Sequence, residues 1–164
     1  MISFKRDDAT AAKDATGLSS AGNPQVPADL ELMAFSILDA AFGVHRFLGP
    51  GLLESAYQAC LSHELRQMGL NVECELPLTL KYKNNEIPVG YRIDMMINSR
   101  IIIENKVVEM LEKIHRAQIL TYLKLTGCTL GFLINWNVVR LKEGLKRVVL
   151  GHQTSPLSWN NYRP

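Results

Sequence analysis

Between Tyr91 and Lys106 the chain reads YRIDMMINSRIIIENK. Two apolar runs flank the polar triplet Asn98-Ser99-Arg100, and the second, Ile101 to Val108, is nearly continuous in apolar residues. A short run of that kind belongs at the centre of a sheet, buried on both faces. A sheet with such a strand needs a covering layer on each side, and the rest of the chain must supply them.

The residues upstream and downstream read as those layers. From Leu30 to about Phe47 apolar residues recur at helical spacing, with Asp29 as the expected N-cap. Gly49-Pro50-Gly51 breaks the chain, and a second helix is expected from Pro50 to about Met68, with Leu53, Ala56, Cys60, Leu61, Leu65 and Met68 inward and Gly69 as its stop. Val72 to Tyr82 then alternates, Asn84-Asn85 turns the chain, and Glu86 to Ile97 alternates again, so two hairpins make a three-stranded meander. Helical period returns from about Glu112 to Leu125, with Ile114, Ala117, Ile119, Leu120 and Leu123 inward. Thr129 to Asn135 is a short buried strand, and Val138–Leu141 and Arg147–Leu150 are expected edge strands. The order is α-α-β-β-β-α-β with a further edge, an α/β (α+β) fold with a central mixed sheet flanked by helices.

With 164 residues, the chain has room for one ordinary domain. That domain is expected over 29–150, between a flexible N-terminal tail over 1–28, rich in small polar residues, and an irregular tail over 151–164. The three cysteines, Cys60, Cys74 and Cys128, show no CxxC spacing and point to buried thiols in a reducing compartment. No apolar run reaches the about 18 residues of a membrane span, and no secretory signal opens the chain, so a cytoplasmic protein with no membrane contact is expected. A net charge of +2 does not by itself announce a nucleic-acid partner; a positive field would have to be local.

If Asn98-Ser99-Arg100 is a three-residue loop, residue 97 faces 101 and Asp94 faces Glu104. Side chains alternate along strands, so Arg92, Asp94, Glu104 and Lys106 are expected on one face. Two opposed carboxylates repel unless a positive charge sits between them. Lys106 supplies one. A hard divalent cation, Mg²⁺ or Mn²⁺, would supply more. The plain alternative is a solvated face with an ordinary ion pair. The apolar neighbours Ile93, Met95 and Ile101–Ile103 weigh against it, because a carboxylate pair on a central strand is costly without a purpose.

Asp94 followed ten residues on by Glu104-Asn105-Lys106 resembles the D…(D/E)xK signature of the PD-(D/E)XK nuclease superfamily, whose restriction-endonuclease-like core has the order αβββαβ. Gly51-Leu52-Leu53-Glu54-Ser55-Ala56-Tyr57 is similar to the motif of the bacterial GxxExxY proteins, and Gln118-Ile119-Leu120-Thr121-Tyr122 to the QxxxY motif of RecB-type nucleases. The resemblance covers about residues 30–150. It implies a metal-dependent nuclease that hydrolyses phosphodiesters, with DNA favoured over RNA. Asp94, Glu104 and Glu54 would hold Mg²⁺ or Mn²⁺. Lys106 would orient or help deprotonate the attacking water and stabilise charge on the phosphate. Gln118, Tyr122, Tyr57, His45 and Arg92 would support those groups or the substrate. The sequence departs from the family pattern at Ile93 (proline in the signature), at Asn105 (an apolar residue expected) and at Glu75 (glutamine expected).

Each of these residues also has a plainer role. Glu54 suits the first turn of any helix. Tyr57 can be core, Gln118 and Tyr122 can seal a helix against the sheet, and His45 can pack or cap. Arg92, Arg116 and His115 can be solvated, as can the basic cluster Lys142, Lys146 and Arg147. Two other function classes therefore stay open: a nucleic-acid-binding module that does not cut, and an interaction domain, a homodimer included, with a partner on the edge near Val138 to Leu150.

Overall fold

A computed structural model describes residues 26–151. The expected tails over 1–28 and 151–164 lie almost wholly outside the described residues. Nine elements follow in order: α1 (Ala28–Leu48), α2 (Glu54–Gln67), β1 (Val72–Tyr82), β2 (Asn85–Ile97), β3 (Ile101–Lys106), α3 (Lys113–Thr126), β4 (Leu130–Asn135), the single turn α4 (Leu141–Gly144) and β5 (Leu145–Val149). The strands form one sheet in the order β1-β2-β3-β4-β5. Only β3 and β4 run parallel, joined by the crossover helix α3, and the other pairs are antiparallel. This is the mixed sheet flanked by helices of a restriction-endonuclease-like core.

Two apolar clusters cover the sheet. α1 and α2 bury Ile37, Ala41, Tyr57, Leu61 and Leu65 against Met95, Ile97, Ile101, Ile103, Phe132 and Ile134 on one face. On the other, α3 buries Ile119, Tyr122 and Leu123 against Ile93, Met96, Ile102 and Leu133. β3 is the strand with both faces covered, as its apolar run requires.

Several local expectations shift. Asp29 is not the cap of α1: the Pro27 carbonyl accepts from Leu30 N and Glu31 N, and Asp29 inside the first turn pairs with Arg100 instead. α2 starts at Glu54, not at Pro50, because Gly49 and Gly51 take φ of 66° and 104° and hold the chain in a loop. Leu53 and Met68 thus fall just outside the helix and are exposed, while Tyr57, Leu61 and Leu65 form its buried face. On α3 the buried stripe starts one turn later than expected, so Ile114 is exposed. The expected strand over Val138–Leu141 is a loop ending in α4. β5 must run back antiparallel along β4, and the chain reverses through that single turn.

Gly144 marks how tight the reversal is. A Cβ there would lie 2.2 Å from the Asn135 carbonyl oxygen. Asn135 cannot retreat, because its side chain holds Val108 through both polar atoms: Oδ1 accepts from Val108 N at 3.1 Å and Nδ2 donates to Val108 O at 2.9 Å. Gly144→Ala is expected to lower stability by about 3 kcal/mol, the upper range for forced overpacking, read as a lower urea midpoint at unchanged m-value.

The β2–β3 register is the one the three-residue loop dictates: Ile97 faces Ile101, Met96 faces Ile102 and Met95 faces Ile103. Pairing then stops. One step on, Asp94 Oδ2 accepts from Asn105 N at 2.7 Å, so a side chain takes over where the backbone ladder ends. Period-two alternation also fails here. Ile93 packs with the α3-side cluster and Met95 with the α1/α2-side cluster, although they sit two apart. On β1, Cys74 packs on the α1/α2 side and Leu76 on the α3 side. Between those two lies Glu75, a non-glycine at φ 56°. Both strands turn over at the level of Glu75 and Asp94. Arg92 therefore does not share a face with Asp94, Glu104 and Lys106, contrary to the alternation argument; it turns to Glu75 instead.

Candidate active site

The site forms where β2 parts from β3. Glu104 is fully buried in a strand whose neighbours are isoleucines. Its Oε1 accepts from Lys106 Nζ at 2.5 Å, and its Oε2 has no hydrogen-bond partner among the described residues. Burial pushes the Glu104 carboxyl up to about 7, and the Asp94 charge adds to the effect more than Glu54 does, against the pull of Lys106. For Asp94, burial raises the value to about 6, opposed by the Asn105 N–H and by Lys106, and aided by Glu54 and Glu75. Lys106 is itself largely buried. Desolvation works against its charge, but the hydrogen bond to Glu104 and the Glu104, Asp94 and Glu54 carboxylates outweigh it, so the ammonium sits above its ordinary value. It is a fixed cation near neutral pH.

Helix α2 brings Glu54. The GxxExxY spacing has a local mechanical reading. The Tyr57 hydroxyl donates to Gly49 O at 2.6 Å and accepts from Leu52 N at 3.2 Å. It thereby straps down the loop whose glycines hold positive φ, and sets the point at which Glu54 enters the helix. Tyr57 is fully buried and stacks on Trp136, with ring centroids 4.9 Å apart. Its place is in the core, not among the carboxylates.

Helix α3 brings Tyr122 and Gln118. Gln118 Nε2 donates to the Tyr122 hydroxyl at 2.7 Å. Burial holds the phenol above its ordinary value, with Glu104 and Asp94 adding to the effect against Gln118 and Lys106, so Tyr122 stays protonated beside the carboxylates. His45 is committed elsewhere: its Nε2 lies 2.9 Å from Val138 O, and its ring faces Trp136. Arg92 pairs with Glu75, whose other oxygen accepts from Gln58 Nε2 of α2 at 2.9 Å. The basic cluster is divided, since Arg147 makes a two-pronged bond to Glu31 of α1.

Sequence reasoning missed Trp136. It is fully buried between Tyr57 and His45, and its Nε1 donates to Asn105 Oδ1 at 2.9 Å. The signal was Asn105. A polar residue at an apolar position of a central strand needs a partner, and indole N–H is one of few donors an apolar core can supply. Glu75 was visible as a departure, but its position opposite Asp94 needed the register.

The donor set suits a hard divalent ion. Glu104 Oε2 is a buried oxygen with no partner among the described residues, Asp94 keeps one oxygen free of hydrogen bonds among the described residues, and burial makes both carboxyls resist ionisation. No group of three His, Cys, Asp or Glu is gathered closely enough to hold a metal among the described residues. Mg²⁺ ordinarily accepts one or two carboxylates, with substrate and water completing its shell.

A family model for the PD-(D/E)XK nuclease superfamily matches residues 31–148. The chain belongs to the PD-(D/E)XK nuclease superfamily. Asp94, Glu104, Lys106 and Glu54 all fall inside the matched nuclease region, as do Gln118 and Tyr122. Searches of the curated proteins and of the solved structures gave no match. No described helix of this superfamily member is long and apolar enough to cross a membrane.

The raised carboxyls make a pH prediction for the protein without added metal. Unfolded, Asp94 and Glu104 lose their protons near pH 4; folded, they keep them to about 6 and about 7. Between those values the folded state binds more protons, so stability falls as pH rises from about 4 to 7. Urea midpoints measured across that window in a chelator should decline, and Mn²⁺ should flatten the decline at its upper end.

Proposed function

We propose that the protein is a metal-dependent nuclease that hydrolyses phosphodiester bonds, with DNA favoured over RNA, of the GxxExxY, RecB-like kind. The observation that carries this reading is Glu104: a fully buried carboxylate with an unpartnered oxygen, set beside Asp94 and neutralised only in part by Lys106. Stability is a weak reason to keep such a group, because replacing a buried ion pair with well-packed apolar groups is often neutral or stabilising.

In this reading Asp94 and Glu104 hold Mg²⁺ or Mn²⁺, with Glu54 shaping the shell from the helix side. The ion would supply Lewis-acid polarisation of the phosphate and activation of water. Lys106 keeps its proton, places its ammonium against the attacked phosphate and stabilises the charge that builds there. Tyr122, held by Gln118, donates a hydrogen bond into the site. Tyr57 acts at one remove, by fixing the start of α2.

The test is a digestion panel of single-stranded, duplex and branched DNA and RNA. With Mg²⁺ or Mn²⁺ at least one substrate should be cut, and excess chelator should stop it. A protein that cuts none of them but binds one would favour the non-cleaving module. The absence of a third close ligand among the described residues is the observation on that side.

A further inference from the structure

β1 and β2 have 11 and 13 residues, whereas β3 has 6 and pairs with β2 only from Met95 to Ile97. Beyond Asp94 the two strands continue alone, as a ribbon over residues 77–92 that no third strand accompanies. A two-stranded ribbon is marginal by itself, so its length calls for a purpose.

Its two faces differ. Paired residues share a face, so Leu78 with Tyr91 continues the side of Leu76 and Ile93, which is the side of α3 and of Glu104; past a register shift between Leu78 and Thr79, the alternating burial of β1 carries Leu80, paired with Ile87, and then Tyr82, paired with Asn85, along the same side. Beyond its buried root the strip is open: Ile93 is 0% exposed, Tyr91 44%, Ile87 38% and Tyr82 50%. Tyr91 touches Tyr122 edge-on, with centroids 6.2 Å apart. The strip thus starts beside the carboxylates and runs outward for about 20 Å, taking 3.4 Å per residue from Leu76 to Tyr82. At its outer end Lys83 lies 5.4 Å over the Tyr82 ring.

Charge follows the same two elements. The ribbon carries Lys81, Lys83 and Arg92 against Glu86, but Lys81 pairs with Glu86 and Arg92 with Glu75 on the other face, so Lys83 is its contribution to the track. α3 carries Lys113, Arg116 and Lys124 and no acidic residue. Together they hold +5 in a chain of net +2, so the remainder is at −3. In a near-neutral chain, Lys83 and the all-cationic charge of α3 give this flank of the carboxylates a positive excess.

We propose that the ribbon and α3 form a track for a single nucleic-acid strand, with Tyr91 and Tyr82 as platforms on which unpaired bases stack. Aromatic rings beside basic side chains suit unpaired bases, which offer a flat face whatever their sequence. A duplex hides those faces and would leave the apolar strip uncovered. The inference rests on the nuclease reading and names its substrate class: strands, ends or flaps with unpaired bases.

Binding in excess chelator separates the two claims, since no cutting is then required. With a fluorescent thymidine 12-mer, the full chain should bind more tightly than it binds a duplex of the same length. Tyr82→Ala should weaken that binding about tenfold, and Tyr82→Phe should restore it. Lys83→Ala should lower the salt slope by about 0.7, the loss of one phosphate contact. Unchanged strand affinity in Tyr82→Ala overturns the track. So does tighter binding of the duplex, or a self-association or protein contact that Tyr82→Ala abolishes while strand binding stays intact. Strand binding that depends on Tyr82 without any metal-dependent cutting would keep the track and defeat the nuclease reading.

Discussion

Lys106→Ala should cut its substrate about 10²- to 10³-fold more slowly than wild type, the scale of losing a placed donor at a developing anion, and should still bind Mn²⁺. The ammonium sits 2.5 Å from Glu104 Oε1 and is held above its ordinary pKa, so it serves as a fixed cation and not as a proton acceptor. Its removal takes no oxygen from the metal's donor set. It also removes a positive charge that opposes the ion, so Mn²⁺ affinity should hold or rise. Single-turnover rates at saturating Mn²⁺, with calorimetry on the same sample, separate the two effects. Equal rates for both proteins would mean that the cutting comes from another site or from a contaminant.

Glu104→Gln should abolish both cutting and metal binding, yet make the metal-free protein more stable at pH 7.5. The amide oxygen can still accept from Lys106, and the buried charge is gone. A carboxyl raised from 4.5 to about 7 works against folding once it ionises, and at about 1.4 kcal/mol per pKa unit the variant should gain on the order of 3 kcal/mol. The gain should vanish below pH 4.5, where both states of the wild type are protonated. A variant less stable than wild type at pH 7.5 would mean that Glu104 is a structural ion-pair partner.

The register of the hairpin was legible because a three-residue loop leaves one choice, and Ile97 opposite Ile101 follows from it. The layers were legible because the buried strand demanded them. What the sequence hid is tertiary. Alternation placed Arg92 beside Asp94, but the strands turn over at Glu75, which adopts a positive φ without being glycine, so no residue type announced the twist. Tyr57 read as a candidate for chemistry because its spacing from Glu54 is helical. Its partners, the Gly49 carbonyl and Trp136, lie in a loop and a distant strand that spacing does not reveal. Leu53, Met68 and Ile114 are apolar and exposed because periodicity gives a helix's face but locates its ends poorly.

The central claim is that Asp94 and Glu104 await a divalent cation. Calorimetric titration of the full chain with Mn²⁺ at pH 7, in two buffers of different ionisation enthalpy, tests it most directly. Glu104 is partly protonated at that pH, so binding should release protons, and the heat should depend on the buffer. Saturable binding with proton release, lost in Glu104→Gln, is the predicted result. No binding by the wild type, or the same binding by Glu104→Gln, would contradict the account.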